Sequence, residues 1–347
     1  MIMDAPQGIS AGADDPCASA SPVDASPAIV VIGRNEGERL LAAFRALGPR
    51  VSRTVYVDSG STDASVSAAR AIGALVVDLD MRRPFTAARA RNAGLARVLE
   101  QWPDLAFVQF VDGDCTLVPG WIDTATAFLE AHPDVAVVAG HRRERFPEHS
   151  VYNWLCDREW AVPSGEASEC GGDAMMRVAA FTTVGGYSDD LIAGEEPELC
   201  VRLRALGWRI RILPDVMSEH DAAMLRFSQW WRRTVRSGYA FAEVAARHRG
   251  SPYGIWRVNV RRILLWGGIL PVVALIGAVL VHPAFLALLL AYPAQVARIA
   301  LRAGATRRES WVHAVFMVLS RFPELVGALR FYRNRLLGRR GGLVEYK

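Results

Sequence analysis

Three apolar, β-branched runs in the first third of the chain each end on polar or acidic residues, with helically spaced segments between them. Ala28–Gly33 leads into Arg34-Asn35-Glu36, Thr54–Val57 into Asp58, and Leu105–Val111 into Asp112-Gly113-Asp114. That rhythm of strand, helix and strand predicts a mainly parallel sheet with right-handed crossovers, an α/β fold. Strands buried on both faces read as unbroken apolar runs rather than alternating ones. Their polar ends then gather on one edge, where open α/β sheets bind ligands. Glu38–Leu47, Ser61–Ile72 and Ala87–Glu100 are the expected helices, and Ala74–Val77, Val135–Gly140 and Ile210–Leu213 the further strands.

The residues at this edge carry recognisable chemistry. Asp112 and Asp114, two carboxylates flanking one glycine, suit a hard divalent cation, which needs oxygen ligands. A metal held there would take the negative charge of a diphosphate. Taken alone, Asp-x-Asp also describes a solvated acidic loop. Asp58 can accept from the imide N–H of uracil or the amino group of another base. Ser61, Thr62 and Asp63 fit a capping role at the next helix. In Ala88–Gly94, Arg89 and Arg91 can clamp phosphate or base and Asn92 can bond a nucleoside; a solvated helix face is the other reading.

Taken in order, Val30-Val31-Ile32-Gly33-Arg34-Asn35-Glu36, Val57-Asp58-Ser59-Gly60-Ser61-Thr62-Asp63, Ala90-Arg91-Asn92-Ala93-Gly94 and Val111-Asp112-Gly113-Asp114-Cys115 form a set. It resembles the family 2 glycosyltransferases of the GT-A fold, over roughly residues 28–240. The resemblance implies a nucleotide site of Asn35, Glu36, Asp58, Arg91, Asn92 and Asp112. It also implies that Asp112 and Asp114 hold the donor diphosphate through Mg²⁺ or Mn²⁺, with His220 as a third metal ligand. Cys170–Met175 looks like the loop beside donor sugar and acceptor, with Gly171, Gly172 and Asp173 on the acceptor side. Gly194-Glu195-Glu196-Pro197 takes the place of the family's Glu-Asp motif, with Glu where the family has Asp. The resemblance makes Glu196 the general base, beside Glu195. Gln229-Trp230-Trp231-Arg232-Arg233 resembles the Gln-x-x-Arg-Trp motif of processive members, matching at Gln229 and Arg232 and lacking the last Trp. That adds Gln229, Trp230 and Arg232 to the acceptor side. Phe227, Trp230, Trp231, Thr234 and Phe241 also share one helical face, suited to a membrane interface.

Composition divides the chain. Of 347 residues, 51% are hydrophobic, and the net charge of +4 hides an asymmetry. Residues 202–347 hold 24 basic and 7 acidic residues, +17, leaving −13 in residues 1–201. A basic half beside apolar helices points to an anionic membrane surface; no nucleic-acid-binding motif accompanies it. Ile263–Val281 is 19 residues without a charge, long enough to cross a bilayer core. His282-Pro283 breaks it and Ala284–Ala297 is a second apolar run. Arginines flank both outer ends, so the positive-inside rule puts both ends of a transmembrane or re-entrant hairpin in the cytoplasm. Trp311–Leu329, with Arg321, Pro323 and Glu324, reads as interfacial or tucked against the hairpin. The five scattered cysteines contain no C-x-x-C pair and indicate neither disulfides nor a zinc site. Residues 1–26 have the composition of a disordered tail and lack the features of a signal peptide.

The expected organisation is a tail (1–26), a GT-A domain (27–224), amphipathic interfacial helices (225–262), a hairpin (263–301) and a basic membrane-proximal segment (302–347). The expected activity is metal-dependent, inverting transfer from a nucleotide-sugar to a lipid-linked or saccharide acceptor. It would act at the cytoplasmic face of the inner membrane, in cell-envelope or exopolysaccharide synthesis. The alternatives are an inactive membrane scaffold of a polysaccharide assembly complex, or a nucleotidyltransferase. The intact acids argue against the first, and Gly33-Arg34-Asn35-Glu36 is a poor phosphate loop for the second.

Overall fold

The computed structural model describes residues 26–339. Residues 1–25 of the expected tail and 340–347 of the basic C-terminal segment lie outside the described residues. Nine strands form one sheet among the described residues. They are β1 (Ala28–Gly33), β2 (Thr54–Asp58), β3 (Leu75–Asp78), β4 (Phe107–Asp112), β5 (Cys115–Leu117), β6 (Val135–Glu144), β7 (Gly165–Ala167), β8 (Ala174–Arg177) and β9 (Arg209–His220). Their order is β3-β2-β1-β4-β8-β6-β9-β5, with β7 on β9. The half built from β1 to β4 is parallel, as the alternation of strands and helices predicts. Beyond β4 the sheet is mixed: β8 is antiparallel to β4 and β6, and β9 is parallel to β6. The physical reason is where β8 begins. Ala174 pairs with Phe110 near the carboxyl end of β4, so β8 can only run back along it.

Among the described residues, α1 (Glu38–Leu47), α2 (Ser65–Ile72), α3 (Ala87–Gln101), α4 (Trp121–Ala131), α5 (Val151–Trp160), α6 (Val178–Thr183) and α7 (Glu195–Ala205) accompany the sheet, and α8 (Phe227–Arg247) follows it and packs mainly against the C-terminal helices. The core lies where β1, β2 and β4, almost wholly buried, meet α1, α3 and α4 through Leu40, Phe44, Leu95, Trp121 and Leu129. Helix α2 starts four residues later than its sequence pattern suggests. The backbone before it is held elsewhere: Gly60 and Ser61 N–H donate to Asp58, and Thr62 N–H donates to the Asn35 side chain. Of the three expected capping residues, Asp63 accepts from Ser65 N–H at the helix start, whereas Ser61 Oγ accepts from Asn35 N–H.

Among the described residues, the C-terminal part holds three helical rods, each long and apolar enough to cross a membrane. The first, Arg257–Leu280, comprises α9 (Arg257–Ile263), a π-helical stretch Leu264–Ile269 and α10 (Leu270–Leu280). The second, Pro283–Gly304, ends in α11 (Ala291–Gly304). The third, Arg308–Leu336, comprises α12 (Arg308–Leu319) and α13 (Arg321–Leu336). At the tip of the first two, Val279, Leu280 and Val281 are 82%, 77% and 71% exposed. An apolar surface of that kind marks a partner or a membrane. The third rod is different. A Cβ at Gly238 of α8 would overlap the Glu324 carbonyl, and one at Gly327 of α13 would overlap the Val235 carbonyl. Glycines at a helix crossing let two backbones touch. Phe316 of α12 also packs edge-on against Trp230 and Tyr152. The Trp311–Leu329 segment is thus tucked between the hairpin and the sheet domain.

Candidate active site

The carboxyl ends of β1 and β4, the first turn of α7 and one face of α8 enclose a cavity of about 750 Å³. Its floor is a cluster of buried charges. The Arg91 guanidinium, on α3, donates to Asp112 Oδ1 at 2.7 Å and to Glu195 Oε1 at 2.8 Å, and lies 2.7 Å from Glu196 Oε1. Three carboxylates could not crowd together in a low-dielectric site without such a cation. Burial works against the Asp112 carboxylate, but Arg91, Arg142 and His220 outweigh it and bring its pKa down to about 2. Glu196 goes the other way. Burial and the neighbouring Glu195 push it up to about 7, against the pull of Arg91. The pair at the start of α7 therefore includes one carboxyl poised near neutrality, the property expected of a general base.

Asp114 and His220 stand at the other end of the same floor. The His220 Nε2 is 3.4 Å from Asp114 Oδ2, and its Nδ1 is 3.4 Å from Glu144 Oε2. Burial lowers the imidazole pKa, which favours the neutral ring. A neutral ring has one N–H, so one of the two carboxylates faces a nitrogen lone pair. A cation at Asp114 relieves that contact. Asp114 and His220 bring ligand atoms within reach of one ion, and Asp112 stands two residues back at the same strand end; carboxylate oxygens with an imidazole suit Mg²⁺ or Mn²⁺. Gly172 sits directly above. A Cβ there would come within 2.5 Å of Arg91 Nη2 and 2.9 Å of Asp112 Oδ2, so the loop can lie this close only as glycine.

Residues 28–181 match the model of glycosyl transferase family 2. The chain carries a family 2 glycosyltransferase domain. The pre-mycofactocin glycosyltransferases of two Mycobacterium tuberculosis strains are 30% identical over 236 residues, 63% of this chain and 47% of theirs. The chain thus spans about half the length of the curated relatives it matches. Among solved structures, the mannosyltransferase PcManGT from Pyrobaculum calidifontis, in complex with GDP-Man and Mn²⁺, is similar with a TM-score of 0.57. The identity is 21%, covering 89% of this chain and 91% of that one, and the likeness shows the GT-A fold.

Within the glycosyltransferase domain, the cavity brings together Asn35, Glu36, Arg91, Asp112, Asp114, Gly171, Gly172, Glu195, Glu196 and His220. The other residues singled out in the sequence stand elsewhere. Asp58 is buried and accepts from Tyr56 O–H, Gly60 N–H and Ser61 N–H, shaping the turn after β2. Asn92 clips α3 to the loop before α7, bonding the backbone of Tyr187 and the side chain of Asp189. Arg89 donates to the carbonyls of Asp80, Arg83 and Pro84. Asp173 lies beneath the floor, accepting from Asp112 N–H and Ser218 O–H and pairing with Arg142 at 3.0 Å. It positions Asp112 rather than facing the cavity.

The three acceptor-side candidates on α8 do not line the cavity. Gln229 accepts from the N–H groups of Leu225 and Arg226 and so closes the helix start. Trp230 is buried against Cys156, Ala222 and Met224, and Arg232 is exposed. None of the three lines the cavity; Arg233, Arg236, Ser237, Ala240 and Phe241 do. Those positions, three and four residues apart, are themselves a sequence signal for one helix face. Arg142 was also missed. It lines the cavity, lies 3.7 Å from Asp112 and stacks over Trp160. Extending β6 with period two from Gly140 would have set Arg142 and Glu144 on one face.

Proposed function

We propose that this chain is a metal-dependent, inverting glycosyltransferase that moves a sugar from a nucleotide-sugar donor to a lipid-linked or saccharide acceptor. Its place would be the cytoplasmic face of the inner membrane, in cell-envelope or exopolysaccharide synthesis. One juxtaposition carries the reading: Asp112, Asp114 and His220 share a cavity with Glu196, whose pKa stands near neutrality, and Arg91 joins the two groups. The GDP-Man and Mn²⁺ of the Pyrobaculum enzyme are of the ligand classes assigned here.

Asp112, Asp114 and His220 would hold Mg²⁺ or Mn²⁺, which when bound offsets charge on the leaving diphosphate. Glu196 removes the proton of an acceptor hydroxyl, whose oxygen attacks the anomeric carbon as the bond to the nucleoside diphosphate breaks. Displacement in a single in-line step inverts the anomeric centre. The proton then passes from Glu196 to solvent. Arg91 holds Glu196 and Asp112 in register, and the Gly171-Gly172 backbone leaves room for the donor sugar. The purified chain, screened against a panel of nucleotide-sugars, is expected to release nucleoside diphosphate from one of them in a metal-dependent way. No release from any member would overturn the proposal.

For the membrane arrangement we favour a two-rod hairpin, Arg257–Leu280 and Pro283–Gly304, with the third rod kept on the side of the glycosyltransferase domain. The contact of Gly238 with Gly327 and the packing of Phe316 support this. Cysteines introduced near residue 282 should be labelled from outside intact cells by an impermeant thiol reagent, and cysteines beyond residue 336 should not. Labelling beyond residue 336 would make the third rod a span.

A further inference from the structure

We infer that α8 carries an oxyanion subsite centred on Arg236 that binds a phosphate group borne by the acceptor, an inference that rests on the transferase reading above. Arg233, Arg236, Ser237, Ala240 and Phe241 follow one another at i, i+3, i+4, i+7 and i+8, and all five line the cavity. The other arginines of the cavity are engaged. Arg39 pairs with Glu36, Arg142 with Asp173 and Arg233 with Glu159, Arg91 is shared by Asp112, Glu195 and Glu196, and the exposed Arg34 also has a partner. Arg236 is partly buried in the cavity wall and has no hydrogen-bond or ion-pair partner among the described residues. A guanidinium removed from water without a counter-charge is costly, and its planar fork matches phosphate oxygens in pairs.

The position of Arg236 indicates where the phosphate comes from. Helix α8 packs against α13, and its Tyr239 and Ala242 share an apolar cluster with Ile263, at the end of α9 in the first rod. Phe241 and Trp256, edge to face at 4.8 Å, line the same cavity beside the arginine stripe. An apolar flank next to a cation, at the foot of an exposed apolar hairpin, suits the phosphate headgroup of a lipid acceptor. The carboxylates of Asp112, Glu195 and Glu196 gather on the floor around Arg91, so an incoming anion finds its open counter-charge on α8.

The test uses the full chain in detergent micelles with chelator present, so that no bound metal captures phosphate. Binding of farnesyl phosphate and of farnesol is measured by calorimetry. Wild type is expected to prefer the phosphate by roughly 10-fold or more, the scale of one charge-assisted hydrogen bond. Arg236→Ala should bring the two probes to near-equal affinity, and Arg236→Lys should restore part of the preference. Equal binding by wild type, or an undiminished preference in Arg236→Ala, would overturn the inference. Inorganic phosphate is the third arm. If it displaces farnesyl phosphate efficiently, the subsite serves free phosphate; if it does not, the subsite serves a lipid-borne one. Nucleotide-sugar hydrolysis by the same wild-type preparation tests the transferase reading separately. A chain that discriminates through Arg236 yet hydrolyses no donor keeps the subsite and loses that reading.

Discussion

Replacement of Glu196 by glutamine is expected to lower turnover by roughly 10²–10⁴-fold, the range of a general base, while donor affinity stays nearly unchanged. A group that matters only as the proton moves contributes to the transition state and not to ground-state binding. Glutamine keeps the size and an oxygen to face Arg91 but cannot accept a proton. Glu195 also faces Arg91, at 2.8 Å, and its replacement by glutamine should be milder or should weaken binding. The pH profile adds an independent check. Burial and Glu195 raise the Glu196 pKa to about 7, and only the deprotonated form can act as base. In wild type kcat/KM should therefore climb as pH rises through about 7 and level off above it, and this limb should vanish in Glu196→Gln. Turnover and calorimetric donor affinity for both variants decide the matter. Near-normal turnover in Glu196→Gln with loss in Glu195→Gln would move the base by one residue.

Removal of the metal should have the second large effect. Excess chelator is expected to abolish transfer, and Mn²⁺ or Mg²⁺ to restore it. Asp114→Ala should prevent that restoration and weaken donor binding, because the diphosphate charge would meet only Asp112 and His220 beside it. Donor affinity measured with and without Mn²⁺ separates the roles. In wild type the metal should tighten binding; in Asp114→Ala it should not. Full activity in excess chelator would refute metal dependence. In Asp173→Asn, by contrast, metal dependence should persist, since Asp173 acts on the Asp112 backbone and on Arg142 from below the floor.

Local physics made much of this protein legible in its sequence. The unbroken apolar runs of β1, β2 and β4 announced strands buried on both faces, and the acids at their ends announced the functional edge. An uncharged run of 19 residues flanked by arginines announced the apolar hairpin. The ordered motifs brought Asp112, Asp114, Glu195, Glu196 and His220 forward, and the fold places all five around one cavity. Tertiary structure decided what local pattern leaves open. Asp58 and Asn92 stand in motifs that suggest a ligand, yet their polar atoms bond backbone and side chains of the protein itself, and sequence does not say which partner wins. Gln229 and Arg232 matched a motif by spacing, but the rotation of α8 about its axis is set by packing against α13 at Gly238 and Gly327. That rotation turns Arg233 and Arg236 into the cavity and leaves Arg232 in solvent. The short strands β5, β7 and β8 carry too few residues for a periodic signal, and only pairing with β4, β6 and β9 makes them strands. Sequence determined which residues prefer to be buried and which charges the chain carries; the three-dimensional packing decided which of those charges meet.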